Sequence, residues 1–130
     1  MLIADDWCFA CGRANPLGLH LEIYQNEEGV CTTFHFQKNH QGWNNIAHGG
    51  IITTLLDELS TWAAVKLGHN VVTAQLIVKF KKPIPINTYV LVSAKVTENK
   101  GRLIYVQSQI ESIDRKILYA MGQATLSVVR

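Results

Sequence analysis

The chain has 130 residues, enough for one domain that buries roughly two-thirds of its unfolded surface in a single core. With 48% hydrophobic and 17% charged residues, it is too apolar and too weakly charged for a disordered chain. A formal net charge of +2 gives no reason to expect nucleic-acid binding, and no run of about 18 uncharged apolar residues offers a membrane span.

Met1 to Ala4 is too short for a secretory signal and lacks its basic start. Three cysteines, an odd number, fit a reducing compartment, so a cytoplasmic location is expected. Residues 1–18 are rich in turn formers and aromatics and read as an irregular cap packed down through Trp7 and Phe9. Inside it, Cys8 and Cys11 form a single C-x-x-C. A zinc site needs two more ligands, and no second C-x-x-C exists. Cys31 is the only other thiol, and His20 or His35 would have to be recruited by the fold. Packing is the leading reading of the pair, ahead of a metal site or a redox couple, and no metal ligand is assigned.

Leu19 to Tyr24 alternates apolar and polar residues as a strand does, Asn26 to Gly29 supplies a turn, and Val30 to Phe36 returns. Residues 37–47 are polar and loop-like, with Gly42 and Trp43 among them. His48 to Leu67 is the one helix, closed by Gly68. Val71 to Lys82, Thr88 to Glu98, Arg102 to Ile113 and Lys116 to Val129 are four further strands. Pro83 and Pro85 end the first of these, and Asn99-Lys100-Gly101 suits a hairpin. Strict alternation in Val71 to Lys82 puts Leu76, Val78 and Phe80 on one face. It puts Thr73, Gln75 and Ile77 on the other.

The order is strand, strand, helix, four strands. It predicts an α+β fold, a six-stranded antiparallel sheet curled around one long helix, as a single domain over 1–130. Ala120, Gly122 and Ala124 in the last strand would let the helix come close.

At 100° per residue, Ile51, Ile52, Leu55, Leu56, Leu59, Trp62 and Ala63 make one broad apolar stripe on the helix. The opposite side carries Thr53, Thr54, Asp57, Ser60, Thr61 and Ala64. It is small and hydroxylated where a solvated face would carry Lys, Glu and Arg. Such a face suits a second surface at close range, whether ligand, subunit or both. Asp57 lies in its middle, and Glu58 at the edge of the stripe. The helix opens on His48-Gly49-Gly50. Adjacent glycines let a ligand approach bare backbone, and a helix start aims free N–H groups at it. Each feature also has a plain reading: a solvated acid, a capping histidine, an entry turn.

Three segments taken together resemble a known family. They are H-G-G with an acid nine residues after the histidine, the strand A-Q-L-I-V-K-F-K-K-P, and the opening C-F-A-C-G-R-A-N-P-L-G-L. They look like the hotdog-fold acyl-CoA thioesterases, in particular the phenylacetate-degradation type within the 4-hydroxybenzoyl-CoA thioesterase superfamily. The resemblance runs from about Cys8 to the last strand. It implies a dimer with a continuous sheet and active sites at the dimer interface, and it leaves a dimer of dimers open. It implies Asp57 as nucleophile or general base and the Gly49 N–H as the group that polarises the thioester carbonyl. His48 would shape the loop. Thr73 falls where related enzymes can have a Ser or Thr contributed by the second subunit.

Related enzymes often carry an Asn or Gln in the loop before H-G-G. Asn44 and Asn45 are the nearest candidates here and, with Gly50 and Glu58, complete the expected substrate side. Lys81, Lys82 and Arg102 are candidates for the phosphates of coenzyme A, or else solvated strand ends. The implied reaction is hydrolysis of an acyl-CoA to free acid and coenzyme A. It needs no cofactor beyond the coenzyme A of the substrate, and neither nucleic acid nor membrane as partner. A non-catalytic acyl-CoA sensor, or a hotdog dehydratase or hydratase acting on acyl carrier thioesters, are the alternatives.

Overall fold

The alternating segments do form strands, and their inward residues build one core around the helix. The computed structural model describes residues 5–129; Met1 to Ala4, on which the signal-peptide reading rests, and Arg130 lie outside the described residues. The elements are β1 (Tyr24–Gln25), β2 (Val30–Phe36), a single 3-10 turn (Lys38–His40), α1 (Gly49–Val65), β3 (Val71–Phe80), β4 (Thr88–Lys100), β5 (Leu103–Ser112) and β6 (Leu118–Val128). The strands make one antiparallel sheet in the order β1-β2-β4-β5-β6-β3. No helix among the described residues is long and apolar enough to cross a membrane.

Val30, Phe34 and Phe36 of β2, Val90 and Val92 of β4, Ile104, Val106 and Ile110 of β5, and Ala120, Ala124 and Leu126 of β6 all turn inward. They bury Leu55, Leu56, Leu59 and Ala63 of α1. The small residues of β6 allow this approach. A Cβ on Gly122 would lie 2.5 Å from Ser108 Oγ and 3.4 Å from Leu56 Cβ, so the helix seats almost directly on the strand backbone.

The fold departs from the sequence expectation in four places. The first strand shrinks to Tyr24–Gln25. The Leu19 and Leu21 amides are instead taken by the carbonyls of Phe9 and Ala10, at 2.8 and 2.9 Å, which stitches this segment to the cap. The cap does not pack through its aromatics: Trp7 is 61% and Phe9 47% exposed, whereas Ala10 and Leu21 are buried and Cys8 and Cys11 lie against the core. On the helix, Ser60 and Ala64 belong to the core, because the sheet curls round more of α1 than one stripe. Ser60 Oγ donates to the Leu56 carbonyl at 2.7 Å and so carries no unpaired hydroxyl inside.

The fourth departure concerns β3. Its pairing with β6 shifts register between Thr73 and Gln75. Before the bulge Thr73 pairs with the inward residue Leu126, and after it Leu76 pairs with the inward residue Ala124. The extra residue therefore turns Thr73 to the helix side of the sheet, against strict alternation. β3 is also an edge of the sheet, and it leaves Val72 45% and Ile77 49% exposed.

Candidate active site

The helix start is organised by His48. Its backbone is extended (φ −68°, ψ 130°), as an N-cap requires, and its ring Nδ1 accepts the Gly50 N–H at 2.8 Å. An amide can only donate, so Nδ1 is unprotonated and a neutral ring carries its proton on Nε2. The His48 carbonyl accepts from Ile51 and Ile52, both at 3.1 Å, and its own N–H donates to the His40 carbonyl at 2.8 Å. A Cβ on Gly50 would come within 2.9 Å of Nδ1, so Gly50 is glycine to admit the capping ring. The Gly50 amide is thus occupied, while the Gly49 N–H has no acceptor among the described residues. His48-Gly49-Gly50 leaves one backbone donor aimed outward at the positive end of the helix.

That donor opens onto a cavity of about 430 Å3 lined by Gln41, Gly42, Trp43, Ala47, His48 and Gly49. Gln41 and Ala47 pair across the base of the loop, and Gln41 Oε1 accepts the Asn45 N–H at 2.9 Å. Asn44 and Asn45 are exposed turn residues, Asn45 with a left-handed φ of 65°, and neither lines this cavity. The amide side chain that lines this cavity together with Gly49 is that of Gln41. Its proximity depends on the bridge to Ala47, and no spacing rule announces that. A second depression of about 420 Å3, bordered by Glu28, Lys95, Gln109 and Arg115, shares no residue with the first.

His40 supports the same loop from beneath. Its Nδ1 accepts the Gln37 N–H at 2.9 Å, and its ring packs against Phe34 and Phe36. Burial, and then the charge of His35, hold its pKa below the ordinary value.

Two turns along α1, the half-buried Asp57 accepts a hydrogen bond from Thr73 Oγ1 at 2.7 Å on Oδ1. The bulge in β3 aims the hydroxyl there. The neighbouring hydroxyls are spent on the helix itself, since Thr53 donates to the Gly49 carbonyl at 2.8 Å and Thr54 to the Gly50 carbonyl at 2.9 Å. Among Thr53, Thr54, Asp57, Ser60, Thr61 and Ala64 of this face, Asp57 is the ionisable side chain.

Glu58 belongs to a different neighbourhood. Its Oε2 accepts from Trp62 Nε1 at 3.1 Å and faces the Cys8 thiol at 3.6 Å. Burial pushes the Cys11 thiol well up, and the Glu58 carboxylate pushes it further. Lys81 and Lys82 follow β3, both amides bonded to the Tyr119 carbonyl, whereas the Arg102 carbonyl accepts from Val128. Those anchors lie about nine residues apart on β6, roughly 30 Å, so the three bases do not converge within one chain.

A sheet curled around one helix, with that helix opening on a free glycine amide, defines the hotdog class. The chain belongs to the thioesterase superfamily, whose family model matches residues 44–118. It is 33% identical over 110 residues to the mouse (Mus musculus) protein named acyl-coenzyme A thioesterase THEM4. The match covers 83% of this chain and 47% of that protein, so the chain spans about half its length. Among solved structures, a thioesterase superfamily protein superposes with a TM-score of 0.87 at 23% identity, over 95% of this chain and 61% of its own. A Streptococcus pneumoniae hypothetical thioesterase, solved with coenzyme A, superposes with a TM-score of 0.78 at 19% identity, over 84% and 85%. Two variants of that protein, one with an Asp and one with a Thr replaced by Ala, have the same fold.

Proposed function

We propose that this chain hydrolyses acyl-CoA thioesters to the free acid and coenzyme A, and that it is of the phenylacetate-degradation type. One observation carries the reading: a carboxylate held by a hydroxyl, Asp57 by Thr73, on a helix whose N-terminal Gly49 amide is left unpartnered. In the Streptococcus pneumoniae protein, the Asp and the Thr that were replaced lie sixteen positions apart, the same separation as Asp57 and Thr73.

The chemistry follows from those groups. The thioester carbonyl oxygen accepts from the Gly49 N–H, which stabilises the oxyanion that develops there. Thr73 holds Oδ1 of Asp57, leaving Oδ2 to act. As general base, Asp57 takes a proton from water while the water oxygen bonds to the carbonyl carbon. Collapse of the tetrahedral species breaks the C–S bond, and the proton passes to the departing sulfur. As nucleophile, Oδ2 bonds to the carbonyl carbon itself, the thiolate leaves, and water then hydrolyses the anhydride.

Gly49 and Asp57 are eight residues apart on one helix, about 12 Å along its axis, too far to touch one carbonyl. The reading therefore takes Gly49 from one copy of the chain and Asp57 with Thr73 from another. The bare edge of β3 offers the means. Two such edges paired antiparallel about a two-fold axis bring the Thr73 end of one beside the Phe80 end of the other, and Phe80 lies against Gly49. The same pairing sends Arg102 of one copy toward Lys81 and Lys82 of the other, a basic end suited to the phosphates of coenzyme A. Two such dimers can associate further. A cytoplasmic location is part of the same proposal.

The test is thiol release from a panel of short, medium, long and aryl-acetyl CoA thioesters, with wild type beside Asp57→Ala. Release by wild type and none by Asp57→Ala is expected. Binding without release by wild type would turn the reading to an acyl-CoA binding module, and release by Asp57→Ala would remove Asp57 from the mechanism.

A further inference from the structure

We propose that Cys8, Cys11 and Glu58 form a zinc site that clamps the N-terminal cap to the middle of α1. The C-x-x-C by itself was two ligands short. The fold brings up a third from fifty positions away, and the two Sγ atoms and a Glu58 carboxylate oxygen all lie within 4.8 Å of one another.

The geometry suits the metal. Zinc bonds thiolate sulfur at about 2.3 Å and carboxylate oxygen at about 2.0–2.2 Å, so the sulfur–oxygen edge of a zinc tetrahedron is about 3.6 Å. Cys8 Sγ stands 3.6 Å from Glu58 Oε2.

The two sides of the site are held in place independently. The C-x-x-C-G turn is tight: Gly12 N–H donates to the Cys8 carbonyl at 2.8 Å, and Ala14 N–H to the Asp6 carbonyl at 2.9 Å. A Cβ on Gly12 would lie 2.5 Å from the Cys8 amide nitrogen and would strike the Asp6 carbonyl, so only glycine closes the turn. On the helix side, Trp62 Nε1–H donates to Glu58 Oε2 from the next turn. A carboxylate oxygen has two lone pairs, so Trp62 can hold one while zinc takes the other. Such an outer donor is what orients a metal-bound carboxylate.

The donor set selects the ion. Two thiolates favour zinc over magnesium or calcium. Once the two thiols give up their protons, they and Glu58 place three negative charges in a half-buried site, which the bound divalent cation offsets. The exposed side leaves the fourth position to water. Binding displaces the thiol protons of Cys8 and Cys11 to solvent. The clamp secures a segment whose aromatics do not bury and whose strand is reduced to two residues.

The reduced, chelator-treated chain should be titrated with Co2+ as the probe and Zn2+ as the competitor. Saturation at one Co2+ per chain is expected, with thiolate-to-cobalt charge-transfer absorption in the near ultraviolet, visible bands of four-coordinate cobalt, and loss of both on adding Zn2+. Zinc uptake should release about two protons. Cys8→Ser or Cys11→Ser should abolish the charge-transfer band and Cys31→Ala should leave it. Glu58→Gln, which still offers Trp62 an acceptor, should weaken cobalt binding on the order of tenfold or more. Glu58→Gln keeps the test valid if the cysteine variants do not fold. The proposal fails if reduced wild type gives no charge-transfer band, if the band survives Cys8→Ser, or if Glu58→Gln binds cobalt as tightly as wild type.

Discussion

Thr73 Oγ1 donates to Asp57 Oδ1 at 2.7 Å, joining an edge strand to the middle of the helix. A hydrogen bond to a charged group contributes about 1.5–3 kcal/mol, and here it also fixes which carboxylate oxygen is free. Thr73→Val, which keeps the shape and removes the hydroxyl, should lower kcat about tenfold to a hundredfold with little change in KM. Thr73→Ser should recover most of that loss. Steady-state kinetics of the two variants checks it; equal activity in Thr73→Val and wild type would make the contact merely structural.

Gly49 and Gly50 should respond to alanine in opposite ways. A Cβ on Gly49 meets only the Phe80 ring, at 3.6 Å, an ordinary contact. Gly49→Ala should therefore leave the denaturation midpoint unchanged or slightly raised, while kcat/KM falls because the methyl crowds the free amide. A Cβ on Gly50 strikes the His48 ring, so Gly50→Ala should lose the cap and about 0.5–2 kcal/mol of stability. His48→Ala should cost a similar amount, and His48→Asn should restore part of it. Urea unfolding of the four variants separates cap from catalysis.

Much of this was legible in the sequence, and the failures are local. The β2 boundaries, the helix and the small residues of β6 follow from periodicity and size, because a half-buried strand or helix writes its own pattern. The Thr73 face did not follow, because one bulged residue inverts the phase of a strand and leaves no mark in composition. Large aromatics usually bury, which points to Trp7 and Phe9, whereas here Ala10 buries and the two cysteines lie half-buried against the core. That Gln41 lines the cavity by Gly49, and Asn44 and Asn45 do not, could not be read from spacing, because the pairing of Gln41 with Ala47 is set by the path of the loop. The positions of His48 and Gly49 at the helix start, and of Asp57 two turns in, were legible from the glycine pair and the helical period.

His40 sets a pH limit. Burial, with the His35 charge as a lesser cause, lowers its folded pKa below the ordinary 6.5. The unfolded chain then binds the proton more readily. This contribution to stability is complete above the unfolded value and is lost as pH falls through it toward the lower folded value. Protonation at Nδ1 would also break the bond from Gln37 and disturb the loop that seats His48. The unfolding midpoint should drop as pH falls through about 6.5 and below, and His40→Asn should flatten that drop. An unchanged slope in the variant would assign the effect elsewhere.

Ser108 Oγ is buried with no hydrogen-bond partner among the described residues, beneath Gly122 and Leu56. Ser108→Ala should be neutral or stabilising, since removing an unpaired hydroxyl relieves its desolvation cost. Gly122→Ala should cost about 1–3 kcal/mol, because its Cβ would lie 2.5 Å from Ser108 Oγ inside a packed layer. Thermal melts of the two variants should move in opposite directions, or the first not at all.

The proposed assembly rests on the β3 edge. Its backbone groups are unpaired on one side, and Val72 and Ile77 lie exposed along it. An exposed apolar edge recruits another strand, and a lysine on it blocks pairing without touching the core. Wild type should sediment as a dimer or larger and Ile77→Lys as a monomer, while the far-ultraviolet circular dichroism of the variant stays that of the folded chain. If Gly49 of one copy works with Asp57 of another, the same variant should lose thioester hydrolysis, because Gly49 and Asp57 of one chain are too far apart to share a carbonyl. A monomeric Ile77→Lys chain with full activity would separate catalysis from assembly and return the search for the carbonyl donor to the face around Asp57 itself.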